Sequence, residues 1–123
     1  MSDKPKILLA EDEELIAMML EDVLGDVGYI VVSATTLNEG LLAADRESFD
    51  AAVLDVNLGR EEVFPLAAKL RDKGVPFLFA SGYGNEHVPL EFRDHEVLLK
   101  PYDTRTMLAA VSRLLRKNDV VNS

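Results

Sequence analysis

The 123-residue sequence contains no cysteine. That absence excludes a disulfide framework, a thiolate nucleophile and a Cys-ligated zinc site together, and makes a reducing compartment the default. Basic residues are few beside acidic ones, 13 Lys and Arg against 22 Asp and Glu for a formal charge of -9. Such a surface repels a phosphate backbone, so direct nucleic-acid binding is disfavoured. No apolar run approaches the roughly 20 residues that span a bilayer, and Ile7-Leu8-Leu9-Ala10 meets Glu11 too soon to be a signal-peptide core. The expectation is a cytoplasmic protein that contacts neither membrane nor nucleic acid. P-loop and GxGxxG patterns are missing as well.

What remains is an ordinary globular composition, 48% hydrophobic and 28% charged, with length for one domain. Residues 5–117 are expected to form the folded core, with a frayed tail at 118–123. Short apolar runs alternate five times with longer amphipathic segments, the pattern of a parallel sheet with crossover helices. The strands are expected at Lys6 to Ala10, Tyr29 to Ala34, Ala51 to Val56, Pro76 to Ala80 and Val97 to Leu99. Leu15, Met18, Met19, Val23 and Val27 recur at helical spacing ahead of Gly28 and predict a first helix packed through that stripe. Thr36 and Glu39 form a capping box for a second, ending near Ser48. A third runs from about Glu62 to Lys73, with Pro65 in its first turn and Gly74 as its stop. Gly84 to His95 carries Pro89 and alternating Val88, Leu90 and Phe92, which predicts only a short, poorly anchored helix. Asp103 caps the last, whose stripe is Met107, Leu108, Val111, Leu114 and Leu115, with Arg113, Arg116 and Lys117 suited to its C-terminal dipole.

In open parallel sheets, ligands bind beyond the carboxyl ends of the strands. Glu11, Asp12 and Glu13 follow the first strand, Asp55 ends the third run, Ser81 follows the fourth and Lys100 the fifth. Taken singly, Asp12 reads as a helix N-cap, Ser81 as a turn residue and Lys100 as a surface lysine. Asp55 is harder to dismiss, because a carboxylate ending the most apolar strand is costly to bury unless paired or bound. Together they read as a phosphoryl-acceptor site. Adjacent carboxylates can hold Mg²⁺, an Asp can attack phosphorus to form an acyl phosphate, and a lysine and a hydroxyl can meet the transferring oxygens. His87 and His95 lie in the weak fourth segment and read as surface residues.

Four segments in this order, Ile7-Leu8-Leu9-Ala10-Glu11-Asp12-Glu13, Val53-Leu54-Asp55-Val56-Asn57-Leu58, Phe79-Ala80-Ser81-Gly82 and Leu98-Leu99-Lys100-Pro101-Tyr102, resemble the receiver domain of two-component response regulators over essentially the whole chain. The resemblance implies a flavodoxin-like, doubly wound α/β fold with a five-stranded parallel sheet in order 2-1-3-4-5 and helices on both faces. It implies Asp55 as phosphoacceptor, Glu11 and Asp12 as Mg²⁺ ligands, the Asn57 carbonyl completing the metal site, and Ser81 and Lys100 on the phosphoryl group.

Departures from the commoner pattern lie after Asp55, where Asn57-Leu58-Gly59-Arg60-Glu61-Glu62 lacks the usual Pro and Asp-Gly pair, and three residues before Lys100, where Val97 replaces a switch aromatic. Tyr83 is the nearest substitute, Tyr102 a second, with Ser81 moving to meet the phosphoryl group. Pro76-Phe77-Leu78-Phe79-Ala80-Ser81-Gly82-Tyr83 is similar to the PFxFAT-G-Y motif of stand-alone alphaproteobacterial receivers tied to stress signalling. The function expected is a stand-alone, non-enzymatic receiver, monomeric or weakly dimeric, phosphorylated by a histidine kinase or phosphotransfer protein and acting through protein contacts or as a relay intermediate or phosphate sink. The alternatives are a haloacid-dehalogenase-like phosphatase, disfavoured because its DxD arrangement is missing after Asp55, and a pseudo-receiver that binds without phosphorylation.

Overall fold

The computed structural model describes the backbone of residues 4–122 and side chains through Arg116. Its main sheet pairs β1 (Lys6–Ala10), β2 (Ile30–Ala34), β3 (Ala51–Asp55), β6 (Phe77–Ser81) and β7 (Val97–Leu99), all parallel, in the order β2-β1-β3-β6-β7. Between β3 and β6 lies a small antiparallel hairpin that the sequence reading did not contain, β4 (Asn57–Leu58) with β5 (Glu61–Glu62). The expected order 2-1-3-4-5 counted five strands; the hairpin adds two.

Alternation along each strand sends side chains to two cores. Leu8, Ala10, Ala52, Leu54, Phe77 and Phe79 face α2 (Leu37–Arg46) and α3 (Phe64–Asp72). Ile7, Leu9, Ala51, Val53 and Leu78 face α1 (Glu14–Asp26) and α4 (Thr104–Asn122). Helices therefore cover both faces, as a parallel sheet of such continuous apolar runs requires. At Gly40 a Cβ would stand 2.7 Å from Leu66 Cδ2, so a side chain there would require the buried Leu66 to shift.

Several expectations change. Helix α1 buries Ala17, Leu20 and Leu24, while Leu15, Met18, Met19 and Val27 are exposed. A helix apolar on two sides offers two stripes at the same spacing, and periodicity alone does not say which one meets the sheet. The capping box forms around Thr36, whose Oγ1 accepts from Glu39 N at 3.1 Å. The Glu39 carboxylate reaches back one residue further than expected, accepting from Thr35 N at 2.7 Å. Helix α3 starts at Phe64 because Glu61 and Glu62 belong to the hairpin, and Pro65 sits in its first turn.

The fourth helix is reduced to a single 3-10 turn, Leu90–Phe92, yet it is well anchored. Val88 and Phe92 are buried, Arg93 Nε donates to Val88 O at 2.8 Å, and Arg71 lies over the Phe92 ring while pairing with Glu91. His95 is half-buried, its ring stacked 4.1 Å from that of Phe77, rather than a plain surface residue; His87 is exposed. Asp103 Oδ1 accepts from Thr106 N at 2.7 Å at the start of α4. That helix continues to Asn122, through the stretch expected to fray, so Arg113 and Arg116 lie before its end; the Lys117 side chain and Ser123 fall outside the described residues. Among the described residues, no helix is long and apolar enough to cross a membrane.

Candidate functional site

Strand register brings the polar residues together. Ala10 pairs with Leu54, Asp55 with Ala80 and Ser81 with Leu99, so Asp55 and Ser81, which end their strands, and Glu11 and Lys100, which follow theirs, share one edge. Glu11, Asp55 and Ser81 are the buried polar residues among those described, 2%, 6% and 2% exposed. Their side-chain atoms have hydrogen-bond partners, as burial demands.

Lys100 Nζ lies 2.8 Å from Asp55 Oδ2 and 3.8 Å from Glu11 Oε1. Glu11 Oε2 accepts from Glu13 N at 3.0 Å. Burial pushes the Glu11 carboxyl up to about 7, and the Asp55 charge adds to the rise against the opposing Glu13 N–H and Lys100. Burial likewise raises Asp55, although the Lys100 ammonium pulls it down. Burial works against the Lys100 charge, but pairing with Asp55 and Glu11 leaves its pKa raised. Burial is thus the main cause at both carboxyls, with like charge a smaller contribution and Lys100 opposing the rise.

Asp12 is exposed and does not cap α1; the N-cap is Glu13, without a side-chain bond. Instead Asp12 Oδ2 accepts from Gly59 N at 2.9 Å. One oxygen each from Glu11, Asp12 and Asp55 falls within 4.8 Å of the others. Such a set, all hard oxygen donors with three carboxylates against one ammonium, suits a small divalent cation such as Mg²⁺. Asn57 opens β4 at the rim and is exposed.

Ser81 ends β6, and its Oγ accepts from Tyr83 N at 3.0 Å. The Tyr83 side chain is 63% exposed and packs edge-on against His87. Val97 is half-buried against the Phe-rich core. Tyr102 is half-buried in a groove of about 460 Å³ that is also lined by Glu11, Met19 and Lys100. Burial and the Glu11 charge raise the Tyr102 hydroxyl pKa. Sequence reading missed Gly59. The available signal was a glycine in a two-residue link between Asn57-Leu58 and Glu61-Glu62.

The response regulator receiver domain matches residues 7–112. The chain belongs to this family. It is 31% identical over 120 residues to the alkaline phosphatase synthesis transcriptional regulatory protein PhoP of Bacillus subtilis (strain 168), covering 94% of this chain and 50% of that protein. The chain thus spans about half the length of the curated relatives it matches. Among solved structures, SdrG from Sphingomonas melonis Fr1 is similar at 41% identity and TM-score 0.78, with 94% of this chain and 99% of that one covered. A CheY-like response regulator receiver domain protein from Methanospirillum hungatei JF-1 superposes at TM-score 0.82 and 23% identity, over 95% and 98%, a likeness of fold. Receiver domains are in general signalling rather than enzymatic domains, and bind Mg²⁺ at an acidic pocket; Glu11, Asp12 and Asp55 form such a pocket here.

Proposed function

We propose that Asp55 accepts a phosphoryl group from the phosphohistidine of a histidine kinase or phosphotransfer protein. The observation that carries this is the Lys100 ammonium 2.8 Å from the buried Asp55 carboxylate, with Glu11 and Asp12 grouped beside it. An Asp55 oxygen attacks phosphorus, the P–N bond breaks as the P–O bond forms, and the electron pair returns to the departing imidazole. Lys100 and the Ser81 hydroxyl meet the phosphoryl oxygens, Lys100 leaving part of its pairing with Asp55 to do so. Glu11, Asp12, Asp55 and the Asn57 carbonyl would hold Mg²⁺, which when bound would supply positive charge opposite the phosphoryl oxygens. Later hydrolysis at phosphorus restores the carboxylate, so the only chemistry is the protein's own modification.

On α1, Leu15, Met18 and Met19 are 81%, 59% and 49% exposed at helical spacing, and Met19 lines the groove that opens onto Glu11 and Lys100. An adaptable apolar patch beside the acceptor suits the helix that carries a partner's histidine. The reading extends to a cytoplasmic, stand-alone receiver comprising one domain, monomeric or weakly dimeric, that signals by protein contacts or serves as a relay intermediate or phosphate sink. Similarity over 99% of the solved SdrG chain is in line with a single receiver unit, and the stand-alone, stress-signalling part of the reading rests on the likeness of Pro76 to Tyr83 to the PFxFAT-G-Y motif.

Intact mass after exposure to a small phosphodonor, with and without Mg²⁺, tests the reading. One labile phosphoryl adduct that needs Mg²⁺ supports it. Steady release of inorganic phosphate from phosphate esters without an adduct favours a phosphatase, and no reaction favours a pseudo-receiver.

A further inference from the structure

The hydrogen bond from Gly59 N to Asp12 Oδ2 joins residues 47 positions apart, and it gives the unexpected hairpin a task. Gly59 occupies the two-residue turn of β4–β5 at φ +65, a conformation that favours glycine. The hairpin is fixed to the core by buried Leu58 and Val63 and by Val63 N donating to Val56 O at 2.9 Å. Its amide is therefore a rigid donor, whereas Asp12 is an exposed side chain that its own helix does not hold.

We propose that Gly59 is a positioning residue for the metal site: its N–H fixes one oxygen of Asp12 so that the other is held ready for the divalent cation. This rests on the acid cluster being a Mg²⁺ site. Partners that orient a ligand in this way change metal affinity when removed, by roughly 10- to 100-fold. A side chain that must be ordered during binding loses that advantage.

Calorimetric Mg²⁺ titrations of the full chain test this with two variants that both keep the N–H: Gly59→Val, which strains positive φ and so displaces the amide, and Gly59→Asn, which tolerates positive φ. Gly59→Val is expected to bind Mg²⁺ about 10-fold more weakly, and Gly59→Asn close to wild type. Once Asp12→Ala is present, Gly59→Val should weaken binding no further. Wild-type affinity in Gly59→Val, or an equal further loss in the Asp12→Ala background, overturns the proposal. Should Gly59→Val fail to fold, exchange of the Gly59 amide decides instead. It should quicken in Asp12→Ala relative to wild type, and an unchanged rate overturns the positioning role. Failure of the wild type to bind Mg²⁺ overturns the metal-site reading itself, and this inference with it.

Discussion

Lys100 spans the end of an intervening strand to reach Asp55. Lys100 follows β7, Asp55 ends β3 and β6 lies between those strands, and yet Nζ stands 2.8 Å from Asp55 Oδ2. The lysine thus passes over the edge where Ser81 ends β6 and ties three strand ends into one site. It also carries one positive charge against the carboxylates of Glu11, Asp12 and Asp55, and that imbalance sets the behaviour of the metal-free protein.

The first prediction concerns pH. Glu11, near 7, and Asp55 both hold their protons more tightly when folded than when unfolded. The Glu11 contribution to stability is full below its unfolded value of 4.5 and is lost as pH rises through about 7; Asp55 acts in the same direction. For Glu11 this corresponds to at most about 3 kcal/mol. The Mg²⁺-free melting temperature should fall by several degrees from pH 5 to pH 8, Mg²⁺ should restore it at pH 8, and Glu11→Gln should flatten the slope. Thermal melts across pH check this; an equal slope in Glu11→Gln would contradict it.

The second concerns the acid pair. Asp12 is exposed, while Glu11 is buried, holds the Glu13 amide and is partly protonated near neutrality. Mg²⁺ affinity should therefore fall more in Asp12→Ala than in Glu11→Gln, by roughly 10-fold or more. Because Asp12 does not cap α1, no cap is lost, and relief of repulsion should offset loss of the exposed Gly59 hydrogen bond, leaving apo stability close to wild type. Titration and apo melts report both; unchanged affinity in Asp12→Ala would sink the assignment.

Third, the segment between β6 and β7 should be anchored at two points and free between them. Phe92→Ala should cost about 3–5 kcal/mol, because the ring is buried against Phe64, Phe77 and Phe79. Leu90→Ala should change stability by less than about 0.5 kcal/mol, since Leu90 is 79% exposed. Denaturant melts of both variants give the comparison, and similar losses would refute it.

How far the sequence foretold all this depends on the length of each element. The convergence of Glu11, Asp55, Ser81 and Lys100 on one edge was legible because each ends or follows a branched, apolar run, and parallel strands deliver their ends to one edge. Two-residue strands carry no periodicity, so the hairpin and its Gly59 amide were invisible as structure. The stripe of α1 was misread because Ala17, Leu20 and Leu24 compete with Leu15, Met18 and Met19 at equal spacing, and only the packed sheet decides between them. Pro89 was rightly taken to break a helix, but the buried pair Val88 and Phe92 holds the broken segment in place, which composition does not reveal.

Fourth, Tyr83 is proposed to transmit the switch that Val97 is too small to serve, with Tyr102 as the second candidate. Its amide donates to Ser81 Oγ, and its ring meets His87; movement of Ser81 toward a phosphoryl oxygen would break the first contact and disturb the second. In Tyr83→Ala, phosphorylation should still proceed, but the resulting amide shifts from Gly84 to Glu96 should shrink. NMR of both proteins, phosphorylated and not, measures this. Wild-type shifts in Tyr83→Ala would remove Tyr83 as the switch.

The claim that everything else depends on is that Asp55 is the phosphoacceptor. Treating the phosphorylated protein with borohydride reduces an aspartyl acyl phosphate to homoserine, and peptide mass mapping then locates the altered residue. The account predicts a single homoserine at position 55, dependent on Mg²⁺ during phosphorylation and absent from Asp55→Asn. Reduction at Asp12 or another carboxylate, or undiminished labelling of Asp55→Asn, would contradict it.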